Sequence, residues 1–225
     1  MASVSVFLLL LLCVESESYL QVEAVDKLSR AEMEDIYRYG RPVVVRNWLR
    51  GVCPECFELW DVDTLLRSYP NDFARFGTSS QILNNHGNGV QVSSLQDWMD
   101  HSATPISEPS YIFDRNEFLQ SHPELTEKIE HVEFYSTSPN ASFDSYFLLG
   151  APNSGVSFHR HADGWNMLFT GRKKWFFYPP SCPPVAEHLS VYLGHPKWIS
   201  RVHDTGNADQ CPDYLEIIQQ AGDWI

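Results

Sequence analysis

The chain has 225 residues, room for one sizeable domain rather than two. Hydrophobic residues at 43% and aromatics at 13% exclude a disordered chain and point to a packed core. A formal net charge of -13 at pH 7 argues against nucleic acid, and against an anionic membrane surface, as the main partner. At the N-terminus Phe7–Val14 is an apolar run, and Ser16 and Ser18 follow it as small residues suited to cleavage. Residues 1–18 read as a signal peptide, although no Lys or Arg precedes the run. The run is too short to span a bilayer. No second apolar stretch approaches that length, so the mature chain is expected to be soluble, with no membrane span.

Ser29-Arg30-Ala31-Glu32 has the pattern of a capping box, and Met33, Ile36 and Tyr37 recur on one face. A helix ending near Gly40 is expected. Arg41–Arg46 is a β-branched run that predicts a buried strand. Cys53-Pro54-Glu55-Cys56 fits a redox pair, a tight disulfide or half a zinc site. No second Cys or His pair stands at matching spacing, and Arg50-Gly51-Val52 before the pair reads as a loop. A structural disulfide or two unpaired thiols is therefore the expectation. Cys13 leaves with the leader, and Cys182 and Cys211 complete a set that allows three pairings.

Asp61–Tyr69 predicts a second helix with Pro70 as its stop. Asn84–Gly89 is a turn cluster, and a third helix starts at Ser93 or Ser94 and carries Leu95, Trp98 and Met99. Glu117–Val132 predicts a fourth helix, broken near Pro123. Asn140-Ala141-Ser142 is an N-glycosylation sequon, which agrees with a leader. From Ser145 short strands are expected at Tyr146–Leu149, Val156–His161, Trp165–Phe169, Lys173–Tyr178 and Tyr214–Ile218. A turn at Ala221-Gly222-Asp223 leads into another strand beginning at Trp224. Dense short strands mean a barrel or sandwich. The chain divides into the leader 1–18, a helical and strand region 19–130, and a β region 131–225.

His159-Arg160-His161 is the centre of the chemical reading. In a strand, residues i and i+2 share a face. Two imidazoles so placed converge on one metal at about 2.0–2.2 Å. Alone, such a pair is as easily two surface histidines. Its surroundings are a small-residue loop, Gly150–Gly155, before it, and Gly171-Arg172-Lys173-Lys174-Trp175 after it, in a strand ending at Pro179-Pro180. This stretch resembles the jumonji C (JmjC) family of Fe(II)- and 2-oxoglutarate-dependent dioxygenases, built on a double-stranded β-helix of the cupin superfamily. Arg41–Arg46 followed by Trp60 resembles the opening of the small JmjC hydroxylases, so the resemblance covers most of residues 25–225.

The resemblance implies a mostly β fold with N-terminal helices, C-terminally incomplete. It implies His159 and His161 as metal ligands, Lys173 on the far carboxylate of 2-oxoglutarate, and Asn166 as a polar cosubstrate contact. A lysine supplies a compact charge for one carboxylate. For Lys173 by itself the plain alternative is a solvated hairpin lysine, with Lys174 or Arg172 equally able to be the exposed one.

Two departures weigh against catalysis. His161 stands where the family has an acid, removing the anionic protein ligand from a dication. Asp163 replaces it only if the strand persists through Ala162-Asp163-Gly164. The family's last histidine follows a Gly-Asp turn, and this chain reaches Gly222-Asp223 and ends at Ile225. His188, His195 and His203 read as surface residues. The preferred reading is a JmjC-fold protein of the endoplasmic reticulum lumen, or secreted, impaired in catalysis and acting through protein partners, with no catalytic residue assigned. The alternative is a dioxygenase that hydroxylates a protein. A redox protein working through Cys53 and Cys56, and a metal-binding cupin without oxygenase chemistry, are the remaining readings.

Overall fold

The computed structural model describes residues 3–7, 22–38, 41–84, 90–102, 109–115, 117–129, 145–159, 164–179 and 215–225. The main sheet is built from β4 (Phe73–Gly77), β5 (Gln91–Ser94), β6 (Tyr111–Arg115), β7 (Tyr146–Gly150) and β8 (Asn166–Leu168), with β1 (Ser3–Phe7) among them. Its order is β5-β4-β6-β7-β1-β8, and every neighbouring pair is antiparallel. β2 (Glu23–Val25) pairs in parallel with β3 (Val43–Val45). Trp224 bridges Val45 on one side and Met167 on the other, joining this pair to the free edge of β8. β9 (Arg172–Phe177) and β10 (Leu215–Gln220) form a separate antiparallel pair. Strands dominate, but among the described residues they do not close into a barrel.

The helices are short and locally specified. Ser29 caps α1 (Arg30–Glu32) with both bonds of the capping box formed, and a π-helical turn, Met33–Tyr37, follows. Asp61 caps α4 (Val62–Ser68) through the amides of Asp63 and Thr64. α2 (Trp48–Val52) and α3 (Cys56–Leu59) lie between them, so Arg50-Gly51-Val52 is helical and not a loop. The reason is tertiary: the Leu49 amide donates to the Gly222 carbonyl at 3.0 Å, and a Cys53–Cys56 disulfide ties the corner. α5 (Ser79–Asn84), α6 (Leu95–Ser102) and α7 (Glu117–Ser121) complete the set, and Pro123–Leu125 makes one 3-10 turn where the fourth helix was expected to break. No helix among the described residues is long and apolar enough to cross a membrane.

The main core lies between these helices and the sheet. Trp60 is fully buried, stacks on Phe169 at 4.6 Å and donates from Nε1 to the Leu125 carbonyl. Phe118 stacks on Phe147 at 4.5 Å. Burying rings of this size contributes on the order of 2–3 kcal/mol each.

One further expectation is corrected. Val156–His159, the described part of the predicted Val156–His161 strand, belongs to no strand. Side-chain hydrogen bonds hold it where a ladder was expected. Ser3–Phe7 pairs with β7 on one side and β8 on the other. The Tyr214–Ile218 expectation matches β10, and Trp224 forms bridges as its position after the Gly222-Asp223 turn suggested.

Candidate functional site

β9 starts at the Gly171 turn, where φ is +78°, and alternates its side chains across the pair with β10. Lys174 points outward to Glu216, at 2.7 Å, and Arg172 is exposed. Lys173 therefore takes the inner face. As a residue it is only half-buried, but its ammonium end is desolvated, and burial pushes its pKa down to about 7. Nζ donates to the Tyr111 hydroxyl at 2.9 Å and lies 4.8 Å from the Trp175 ring centroid. Of Arg172, Lys173 and Lys174, it is Lys173 that turns toward Tyr111.

Tyr111 comes from β6, and its ring fits because position 150 is glycine. A Cβ on Gly150 would stand 2.9 Å from the Tyr111 ring and 2.6 Å from Ser154 Oγ. Trp175 donates from Nε1 to Gln219 Oε1 at 2.8 Å. Gln219 is fully buried and donates from Nε2 to the carbonyls of Asn166 and Asp223. Asn166 is buried on β8, its main chain paired in both directions with Ile225. Trp175 and Gln219 therefore link Lys173 to Asn166. Asp223 secures the turn below: its carboxylate accepts from the Asn47 and Gln220 amides and pairs with Arg46.

His159 is the last described residue of the segment that follows β7. Its Nδ1 stands 2.7 Å from the Ser157 carbonyl oxygen. A carbonyl only accepts, so Nδ1 carries a proton in this contact. His161, Asp163 and Asn140 lie outside the described residues, as do Cys182, Cys211, His188, His195 and His203. Among the described residues no three His, Cys, Asp or Glu side chains gather closely enough to hold a metal.

Of the residues the resemblance assigns to a metal, His159 alone is described, so the fit to a metal rests on no described ligand set. The desolvated Lys173 ammonium with the Tyr111 hydroxyl suits an incoming carboxylate. Tyr111 and Gln219 were not legible in the sequence. Tyr111 lies 62 residues from Lys173 and Gln219 lies 53 from Asn166, and no local pattern carries such pairings.

No family model matches the chain. Among curated proteins it is similar to JmjC domain-containing protein 8 of Homo sapiens, at 28% identity over 76% of this chain and 64% of that protein. The protein of that name in Rattus norvegicus is 26% identical over 93% of this chain and 75% of its own length. Lysine-specific demethylase JMJ21 of Arabidopsis thaliana is 26% identical over 76% of this chain and 18% of that protein. The chain thus spans less than two thirds of the human relative's length.

Proposed function

We propose, with the JmjC kinship supported by its relatives as premise, that this chain keeps a dicarboxylate pocket of the 2-oxoglutarate type and is impaired in oxygenase catalysis. It would act through binding other proteins in the secretory pathway. The observation that carries the pocket is Lys173. An ammonium held near neutrality by burial regains its charge when a carboxylate arrives beside it, so proton uptake and anion binding reinforce each other. The impairment rests on His161, a neutral ligand where the family has an acid.

His159 and His161, with Asp163 as the carboxylate nearest in sequence, would hold Fe(II). Bound iron would supply the activation of O₂ that this family's chemistry needs. The chain's own residues do the rest: Lys173 and Tyr111 fix the far carboxylate, and Trp175 and Gln219 keep Lys173 inward. The His159-Arg160-His161 pair keeps a second reading, a protein-hydroxylating dioxygenase that works with a two-histidine half-site.

Calorimetric titration of 2-oxoglutarate into the wild type and Lys173→Met, beside a succinate-release assay with Fe(II), separates these readings. The expected result is binding that weakens at least tenfold in Lys173→Met, with succinate release at background. Equal affinity in the two proteins would remove the pocket. Sustained succinate release that requires His159 and His161 would make the dioxygenase the correct reading.

The lumenal location is supported by the Phe7–Val14 run, the Asn140 sequon and the Cys53–Cys56 disulfide, a bond that persists in oxidising compartments. Expression in a secreting cell tests it. A mobility shift on glycosidase treatment, absent in Asn140→Gln, is expected. An unglycosylated protein in the cytosol would overturn it.

A further inference from the structure

Gln219 stands opposite Lys173 across the β9–β10 pair and is completely buried. An indole N–H only donates and a carbonyl only accepts, so its partners fix how the Gln219 amide lies. Oε1 accepts from Trp175 Nε1 at 2.8 Å, and Nε2 donates to the Asn166 carbonyl at 2.9 Å and the Asp223 carbonyl at 3.1 Å. Both amide hydrogens and the oxygen are engaged, as a buried amide requires. The Trp175 ring held in this way stacks on Phe177, with 9° between the planes, and its centroid stands 4.8 Å from Lys173 Nζ. Nζ also meets the Tyr111 hydroxyl of β6. The neighbouring charged side chains of the two strands take the other face, where Lys174 pairs with Glu216 and Arg172 is exposed. Asp223, in the last turn, pairs with Arg46.

We propose that Gln219 is a positioning residue for the pocket: by holding Trp175 against Lys173 it keeps water from the ammonium end, so that a dicarboxylate enters together with a proton. This rests on the reading of the Lys173 site as a dicarboxylate pocket and says how that pocket is charged. A dry lysine is neutral above a pH of about 7 before the ligand arrives, and charged beside a carboxylate afterwards. In mildly alkaline solution about one proton is therefore taken up per ligand, and affinity falls by roughly tenfold per pH unit. Gln219 acts on the ligand only through Trp175. Its other two bonds tie this wall of the pocket to β8 and to the last turn.

The test is calorimetric titration of 2-oxoglutarate into the full chain at pH 8.5, in two buffers of different ionisation enthalpy, which counts the protons taken up. Wild type, Gln219→Met and Glu216→Gln are compared. Methionine fills a similar volume but makes none of the three bonds. Glu216→Gln, on the same strand, alters the outward pair with Lys174. We expect about one proton per ligand in wild type and Glu216→Gln, and close to none in Gln219→Met, whose Lys173 becomes solvated and stays charged. The affinity of Gln219→Met should be nearly flat from pH 7 to pH 9, where that of the wild type drops. A purely structural loss would weaken binding at every pH and leave the proton count unchanged.

Unchanged uptake in Gln219→Met, or uptake lost in Glu216→Gln as well, would overturn the proposal, and so would wild-type binding without uptake. If Gln219→Met does not fold, Trp175→Phe, which keeps a ring but has no N–H for Gln219, must lose the uptake instead. No binding to the wild type at all would sink the pocket reading. The titration of Lys173 in the ligand-free chains, followed by the ¹³C shifts of labelled lysine, then decides the role of Gln219. A midpoint that rises in Gln219→Met upholds that role, and one that stays where it was refutes it.

Discussion

Lys173 and Gln219 sit opposite each other across β9 and β10, and only the lysine changes charge near neutral pH. Its folded pKa is lowered to about 7, whereas the unfolded chain keeps the ordinary value near 10.5. Between these values the unfolded state holds more protons than the folded state. Stability therefore rises with pH through that window and is lost as pH falls toward 7, where the buried group must carry its charge. Lys173→Met removes this contribution. Urea unfolding of both proteins from pH 6 to pH 9 should show the variant gaining on the wild type as pH falls, and saturating 2-oxoglutarate should narrow the gap. Parallel curves would mean that the ammonium is solvated. At this scale the inward side of Lys173 was open to reading because the Gly171–Trp175 turn is contiguous. Tyr111 and Gln219 were not, because tertiary folding alone brings them beside it.

The caps of α1 and α4 were legible for the same reason of locality, since Ser29 and Asp61 bond to amides within three residues. α2 was hidden by its start, Asn47 in the left-handed region at φ 52°, and by Gly51 inside it. What holds α2 is the Cys53–Cys56 disulfide, buried in the main core with Leu49 and Trp60, and the contact with Gly222. Gly222 has φ +100°, and a Cβ there would lie 3.3 Å from the Phe57 ring of α3. The α2–α3 corner therefore seats the last turn, whose Gly222 amide donates to Leu168 and whose Ile225 pairs with Asn166. Closing a loop this short restricts the unfolded chain by about 2 kcal/mol. Reduction should lower unfolding stability by about that amount and speed amide exchange at 222–225 as well as at 48–57. A Cys53→Ala, Cys56→Ala chain should be indifferent to reductant. Unchanged exchange at 222–225 after reduction would separate the corner from the site.

Across the whole molecule the sheet depends on β1. β7 has β6 on one edge and Ser3–Phe7 along all five residues of the other, while β8 pairs with three residues of the same segment. β1 is antiparallel to both neighbours, so β7 and β8 run in the same direction with one strand's width between them. Signal cleavage after residue 18 would empty that position, leaving β8 paired, among the described residues, with the last turn and through Trp224 with β3 rather than with β7. Edge backbone exposed in this way exchanges quickly and invites pairing with another strand. A chain lacking residues 1–18 is therefore expected to melt lower than the full chain. Its amide exchange should accelerate at 146–150 and 166–168 and stay unchanged at 73–77, where β4 keeps both neighbours. Adding a peptide of residues 1–8 should restore protection if the position accepts a strand in trans. Equal exchange in the two chains would mean that β7 and β8 close on each other without β1. The strand position of Ser3–Phe7 would then contribute nothing to holding Asn166 beside Gln219.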